Sequence, residues 1–190
     1  MANLYALGVG EVDTDFQRVL IDRETLQRRI AEMGAQISHD YQGKTIVLVG
    51  ILKGAVMFLA DLARQITIPS QFDFMAVSSY GQSSVSTGVV RIIKDLDHSI
   101  EGKDVLVVED IIDTGLTLAY LREVLLARRP SSLRVCCLLD KPGRRKVEVP
   151  VDYRGFEIPD EFVVGYGLDY REMYRNLGEI YVLSPHVYKT

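Results

Sequence analysis

The segment at residues 105–118, with the sequence VLVVEDIIDTGLTL, constrains the fold of this chain more than any other part. It starts with four apolar residues typical of a buried strand, and two acids, Glu109 and Asp110, follow directly. A third acid, Asp113, opens a short loop, and a helical pattern begins at Thr117. In an open α/β sheet, ligands bind outside the carboxyl ends of the strands. The segment therefore predicts a strand, a ligand-binding loop and a helix in immediate succession.

The residues of this loop suit a phosphate that is attached to a sugar. The hydroxyls of Thr114 and Thr117 and the N–H groups of a helix N-terminus can surround an anion, and Gly115 lets the backbone approach it. The acids suit ribose hydroxyls or a divalent cation, so we predict a ribose 5-phosphate cradle. Leu116 stands where a P-loop would carry lysine. The alternative is an ordinary strand–turn–helix with solvated acids, in which Asp113 caps the helix.

Strands alternate with helices along most of the chain. Apolar residues at helical spacing predict an amphipathic helix from Asp22 to about Tyr41, with Asp22 as its cap. The other predicted elements are helices at 56–66 and 117–128 and strands at 45–51, 72–78, 89–93, 105–108, 133–139, 162–164 and 180–183. This alternation predicts the α/β class, with a central, mostly parallel sheet flanked by helices. Residues 80–88 are rich in serine and glycine, which favours a mobile loop.

Composition limits the classes of protein to which the chain can belong. Its 190 residues suffice for one domain, and a net charge of −4 argues against a nucleic-acid-binding protein. The longest apolar run, Ile46–Leu52, is far too short for a membrane span, and no signal peptide is visible. Cys136 and Cys137 are adjacent and suggest reduced strand residues of a cytoplasmic protein.

At this point the sequence resembles a known family. Residues 105–118 match the phosphoribosyl diphosphate signature of type I phosphoribosyltransferases. Four further segments resemble the hypoxanthine (hypoxanthine-guanine) phosphoribosyltransferases, namely Gly50–Ala55, Ser78–Gly81, Leu138–Lys141 and Gly155–Tyr170. The likeness runs from about residue 44 to about residue 183. It implies a single Rossmann-like domain with a core at about 44–155 and a small hood from about 1–40 and 156–190.

The resemblance also implies a reaction, in which a purine nitrogen displaces diphosphate from C1 of phosphoribosyl diphosphate. The loop from Asp113 to Thr117 would anchor the 5-phosphate, through backbone alone at Leu116. Glu109 and Asp110 would hold the ribose hydroxyls, directly or through Mg²⁺. Asp113 would accept the purine proton at N7, which is general-base work.

The resemblance assigns other residues to the diphosphate and to its metal ion. Lys53 and Gly54 would bind diphosphate through the backbone of their loop, which often has a cis peptide between residues 52 and 53. Ser79 and Tyr80 open a loop that could close over the site and exclude water, although they could equally belong to an ordinary solvent loop. The last two assignments are Asp169 as a ligand of Mg²⁺ and Arg175 as the partner of the diphosphate.

A third group of residues would bind the base. Lys141 would donate to the oxygen at purine C6 and so select a 6-oxopurine, unless it is only a turn lysine before Pro142. Phe162 would stack on the purine, or it belongs to the core. Backbone near Val163 and Asp169 would read the edge of the base at C2. The following basic cluster, Arg144 to Lys146, is expected to be solvated.

Other functions remain open to the sequence. The main alternative is a non-catalytic regulator that senses phosphoribosyl diphosphate and binds nucleic acid, and a phosphoribosyltransferase for adenine or a pyrimidine is a further one. Lys141 and the 162–169 segment speak against the latter. We expect no nucleic-acid or membrane partner and a homo-oligomer, either a dimer or a tetramer. The preference among hypoxanthine, guanine and xanthine is not fixed by these motifs.

Overall fold

The computed structural model describes residues 14–79 and 90–189 of the chain. Within these ranges the elements, in chain order, are β1 (Phe16–Ile21), α1 (Arg23–Asp40), β2 (Ile46–Leu52), α2 (Val56–Gln65), β3 (Ser70–Ser79), β4 (Val90–Lys94), β5 (Asp104–Ile112), α3 (Leu116–Leu126), β6 (Ser132–Asp140), β7 (Tyr153–Glu157), β8 (Val163–Val164), β9 (Ile180–Leu183) and α4 (Pro185–Tyr188). A short 3-10 turn at Pro142–Arg144 follows β6. None of the helices in the described ranges is long and apolar enough to cross a membrane.

Six strands form the main sheet, in the order β4-β3-β2-β5-β6-β7. All neighbours are parallel except β4, which runs antiparallel to β3 at one edge. The predicted α/β class with a mostly parallel sheet is therefore confirmed. The continuous apolar sequences of β2 and β5 fit this position, because central parallel strands are buried on both faces.

Helices cover both faces of this sheet because alternate strand residues point to opposite sides. On one face, Leu48 and Leu106 belong to the same buried cluster as α1 and α2 residues such as Ile30 and Phe58. On the other face, valines of β2 and β5 cluster with Leu121 and its neighbours in α3.

The first predicted helix is confirmed, but its place in the molecule is not the expected one. Asp22 caps α1, since its Oδ1 accepts a hydrogen bond from Thr25 N at 2.7 Å. The helix was expected in the hood, yet it lies on the main sheet, where Arg29 Nε donates to Gly155 O of β7 at 3.1 Å. The apolar stripe of α1 is buried in the main core, which explains this position.

A separate three-stranded antiparallel sheet lies beside the main one, in the order β1-β9-β8. It contains the chain-end strands at 16–21, 163–164 and 180–183. We call it the hood. The first of these strands was not predicted, because its sequence, FQRVLI, shows no clean alternation, and only Ile21 among its residues is buried.

Strand β5 is longer than predicted and contains the acid pair. The prediction ended the strand at Val108, but it continues to Ile112. Pairing with β2 stops at Val108, whereas pairing with β6 continues as far as the register of Ile112 with Asp140. The acids are therefore on a strand end that extends beyond β2, at the carboxyl edge of the sheet.

Candidate active site

The loop between β5 and α3, residues 113–117, is called the anchor loop below. Gly115 is the N-cap of α3 and has φ of 82°, a left-handed conformation that favours glycine. A Cβ at this position would overlap the carbonyl oxygen of Val147. Leu116 N donates to Thr114 Oγ1 at 3.4 Å. The loop, the helix start and Glu109 line a small cleft, as a phosphate-binding site requires.

Asp113 does not cap α3, which excludes the structural alternative considered for it. The N-cap is Gly115, and no side chain makes a capping hydrogen bond there. The Asp113 carboxylate instead forms an ion pair with Arg144, whose Nε lies 2.9 Å from Oδ1. This carboxylate is partly exposed and lines the same cleft as the anchor loop.

Glu109 and Asp110 form an acid pair that lacks full compensation, with Glu109 buried and Asp110 half-buried. Burial, together with the Asp110 charge, raises the pKa of Glu109 well above its usual range. Burial also raises the pKa of Asp110 to about 6, and Arg175 opposes this rise. Two carboxyls in this environment favour a partner that supplies hydroxyl donors or positive charge. Solvated acids, the alternative considered from the sequence, do not fit a Glu109 that is only 7% exposed.

The loop after β2 packs against this acid pair. Its Leu52–Lys53 peptide is cis, as the resemblance implied. A Cβ on Gly54 would overlap the Asp110 carboxylate, and one on Gly167 would overlap the Gly54 carbonyl oxygen. Glycines therefore allow three backbone segments to meet at the acid pair.

The charged side chains of Lys53 and Arg175 are both paired with carboxylates. Lys53 Nζ lies 2.8 Å from Glu172 Oε2, and Arg175 Nη2 lies 2.7 Å from Asp169 Oδ1. Arg175 Nη2 also lies 3.4 Å from Glu172 Oε1. Glu172 thus bridges the two cations. Sequence reasoning did not assign it a role, although it lies between two residues that were assigned.

The segment that carries these residues has an unusual backbone. Four non-glycine residues within 166–174 have positive φ, namely Tyr166 (51°), Arg171 (51°), Glu172 (66°) and Tyr174 (78°). Such conformations are costly and cluster at ligand sites. We call residues 165–175 the latch segment.

The residues assigned to the base lie where β6 meets the hood. Lys141 is only 7% exposed, and its Nζ donates to Glu161 O at 2.6 Å. Burial lowers the pKa of Lys141, and the nearby Asp113 charge opposes this shift. Val163 is buried in β8, where it pairs with Val182.

Phe162 is not a core residue, since 38% of it is exposed. Its ring stacks on Tyr188 of α4, with centroids 5.0 Å apart, and meets Tyr170 edge-to-face at 5.6 Å. Sequence reasoning missed Tyr188, because nothing in the sequence around it indicates that it contacts Phe162. Ser79 ends β3, while Tyr80 and the predicted 80–88 loop lie outside the described residues.

In the basic cluster after Lys141, Arg144 and Lys146 are exposed as expected, but Arg145 is not. Arg144 pairs with Asp113, as described above, and also lies 3.3 Å from Asp160. Arg145 is buried against Asp140, which is itself almost fully buried. The prediction failed for Arg145 because its partner Asp140 lies one residue beyond the predicted strand and was not expected to be buried at the end of β6.

Comparisons with known proteins agree with this geometry. Residues 20–171 match the phosphoribosyl transferase domain family. The hypoxanthine-guanine phosphoribosyltransferase of Mycobacterium tuberculosis (strain ATCC 25618 / H37Rv) is 55% identical, over 92% of this chain and 90% of that protein. The Bacillus subtilis (strain 168) protein of the same name is 52% identical, over 93% and 98%. A crystal structure of a Staphylococcus aureus hypoxanthine phosphoribosyltransferase superimposes with a TM-score of 0.91 and 53% identity, covering 94% of this chain and 97% of that one.

The chain therefore belongs to the phosphoribosyltransferase family. Within that family it groups with the hypoxanthine-guanine phosphoribosyltransferases, which are enzymes of purine salvage. Nothing in these comparisons supports the nucleic-acid-binding regulator considered from the sequence.

Proposed function

We propose that the site transfers the 5-phosphoribosyl group from phosphoribosyl diphosphate to hypoxanthine or guanine, releasing diphosphate. The observation that carries this proposal is the strand end beyond β2, where an acid pair leads into a glycine-capped anchor loop. This arrangement offers donors for a phosphate next to acceptors for ribose hydroxyls, in the order of a ribose 5-phosphate.

The acid pair and the latch segment fit Mg²⁺ as the cofactor. The donors are hard carboxylate oxygens, and the raised pKa values of Glu109 and Asp110 reflect charge that a cation would stabilise. Within the described ranges no group of three or more His, Cys, Asp or Glu is arranged to hold a metal ion. Mg²⁺ commonly uses one or two carboxylates together with substrate phosphates, so Asp169 or the acid pair would suffice. When bound, Mg²⁺ would neutralise charge on the departing diphosphate.

Residues of the chain have separate roles in the transfer reaction. Asp113 accepts the proton from purine N7, which requires that its carboxylate leave Arg144 at least in part. Lys53, Gly54 and Arg175 hold the diphosphate, so Glu172 must release its two cations when the substrate binds.

Lys141 selects the base in this proposal. A buried cation beside the base accepts an oxo group at purine C6 and leaves an amino group without a partner. Phe162 offers an exposed ring for stacking, and Tyr188 extends the same aromatic group. Backbone near Val163 and Asp169 reads the edge of the base at C2, where hypoxanthine, guanine and xanthine differ.

A substrate panel tests the proposal. With phosphoribosyl diphosphate and Mg²⁺, the protein should release diphosphate with hypoxanthine and guanine, and kcat/KM for adenine should be lower by about 10⁴-fold. Lys141→Ala should depress turnover of the 6-oxopurines and narrow this gap, whereas Lys146→Ala, two residues beyond Arg144, should leave it unchanged. A wild type that prefers adenine, or a Lys141→Ala variant that discriminates as well as wild type, would contradict the assignment.

The remaining expectations stay predictions. A homo-oligomer, dimer or tetramer, is expected by analogy with the family and can be measured by light scattering during gel filtration. Cytoplasmic residence is expected from two adjacent free cysteines that are both buried.

A further inference from the structure

The connection between β6 and β7 contacts the outer side of the anchor loop at several points. Lys146 N and Val147 N donate to Thr114 O at 2.9 and 3.2 Å. The Val147 carbonyl also lies where a side chain at Gly115 would be. The anchor loop is thus held from outside by a segment to which none of the roles above has been assigned.

Arg145 makes the central side-chain contact in this connection. Its Nη1 donates to Asp113 O at 3.0 Å, and its Nη2 pairs with the Asp140 carboxylate. The two paired side chains are 9% and 1% exposed. Asp140 is the last residue of β6, and its own carbonyl accepts a hydrogen bond from Ile158 N at 2.9 Å. The guanidinium therefore joins the end of β6 to the backbone of Asp113.

We infer that Arg145 and Asp140 are a positioning pair, which fixes the backbone of Asp113 and so the place of the proton acceptor. The inference rests on the proposed function, in which Asp113 takes the purine proton. In this inference both residues act through Asp113 and need not touch the purine or the phosphate. A guanidinium suits this role because its planar fork can bind a carboxylate and a carbonyl at the same time.

Arg154 is a natural control for this pair. It contacts the same carboxylate, with Nε 2.8 Å from Asp140 Oδ2, but it is 47% exposed. Its other ion pair is with Glu157 on its own strand, 3.6 Å away. If the buried Asp140 requires only a nearby positive charge, substitutions of Arg145 and of Arg154 should change activity to the same extent.

Matched lysine variants separate the two cases. Lysine keeps a cation near Asp140. Its ammonium group cannot bind the Asp140 carboxylate and the Asp113 carbonyl in the fixed geometry of the planar guanidinium, however. For Arg145→Lys we expect kcat with hypoxanthine to fall about 10- to 100-fold, because a displacement of about 1 Å can cost 10²-fold. KM for phosphoribosyl diphosphate should rise as well, since the same loop anchors the phosphate. Arg154→Lys should stay within about twofold in both constants, and both variants should melt close to wild type.

Each other outcome has a defined meaning. An Arg145→Lys variant that folds and turns over like wild type overturns the inference. So do equal losses in Arg145→Lys and Arg154→Lys, or failure of Arg145→Lys to fold, since Arg145 would then serve the fold and not the loop. A wild type that uses neither hypoxanthine nor guanine would instead overturn the proposed function, and the inference with it.

Discussion

In the proposed function the anchor loop and the latch segment would bind opposite ends of phosphoribosyl diphosphate, and the contacts of their charged side chains differ. The anchor loop is fixed by backbone hydrogen bonds from residues 146 and 147 and by the buried Arg145–Asp140 pair. The latch segment also has backbone hydrogen bonds, such as Tyr166 N to Leu177 O at 2.9 Å, but its charged side chains are held by ion pairs at exposed or partly buried positions. Lys53 and Glu172, which pair across it, are 67% and 64% exposed. Buried contacts are strong and directional, whereas exposed ion pairs contribute little.

If the proposed assignment is right, this difference implies two binding modes within one site. The anchor side would already be arranged for a phosphate, so binding there would need little rearrangement. On the latch side, carboxylates already pair with Lys53 and Arg175, so diphosphate binding there would exchange one anion for another. Four residues of the latch segment have positive φ, a costly backbone conformation that is common in segments that bind a ligand.

The largest expected effect is on the anchor side, at Asp113. Asp113→Asn keeps the shape of the side chain but removes the proton acceptor, so kcat should fall by about 10²–10⁴-fold with little change in KM. Asp160→Asn is the control, since Asp160 is the other carboxylate beside Arg144. Steady-state kinetics with hypoxanthine measures both. A loss below about threefold in Asp113→Asn would remove the residue from the proton transfer.

Next in size is the effect of neutralising the acid pair. Glu109→Gln together with Asp110→Asn removes the negative charge that strengthens hydrogen bonds from ribose hydroxyls and attracts Mg²⁺. A charged hydrogen bond contributes roughly 1.5 to 3 kcal/mol, so the Kd of phosphoribosyl diphosphate should rise about 10²-fold. Calorimetric titration at several Mg²⁺ concentrations checks this. Unchanged affinity and unchanged Mg²⁺ dependence would show that the ribose lies elsewhere.

The acid pair should also lower the stability of the free protein. The folded pKa of Asp110, about 6, is above the usual unfolded value of about 3.9, so the folded state binds more protons between these two pH values. Protonated Asp110 therefore stabilises the folded state below about pH 4, and this stabilisation is lost as the pH rises through about 6. We expect Asp110→Asn to unfold at higher urea concentration than wild type at pH 7, with a gain on the order of 2 kcal/mol.

The pH dependence of the stability of Asp110→Asn gives a second test of the strain at the acid pair. The stability difference between Asp110→Asn and wild type should shrink as the pH falls from 7 to about 4, where the wild-type carboxyl is protonated. Asp160→Asn, at an exposed carboxylate, should show no comparable gain. An Asp110→Asn variant that is less stable than wild type at pH 7 would mean that the acid is already compensated without a ligand.

The smallest expected effect is on the latch side. Glu172→Gln removes the charge that bridges Lys53 and Arg175, so diphosphate should bind about two- to fivefold more tightly, the range expected for exposed ion pairs. The gain should fade at high salt because such pairs are screened. Glu157→Gln, which loses an exposed pair far from these cations, is the control. Weaker diphosphate binding in Glu172→Gln would mean that Glu172 supports the bound state.

The sequence by itself determined the features that depend on neighbouring residues. The anchor loop, the cap of α1 at Asp22 and the buried strand β2 all follow from local spacing, turn chemistry and apolar runs. The parallel sheet followed from the alternation of strands and helices, because parallel strands need crossover connections. Resemblance to a known family added the cis peptide at Leu52–Lys53, for which the local residues alone gave no reason.

Only the tertiary structure decided the features that depend on partners far away in the chain. The length of β5 depends on β6 continuing beyond β2, and α1 lies on the main sheet because its apolar stripe matches that face. Arg145 looked like a solvated residue until β6 brought Asp140 beside it. An arginine, a glutamate or a tyrosine has the same propensity wherever it stands, so its role is set by which groups the packed chain brings within reach.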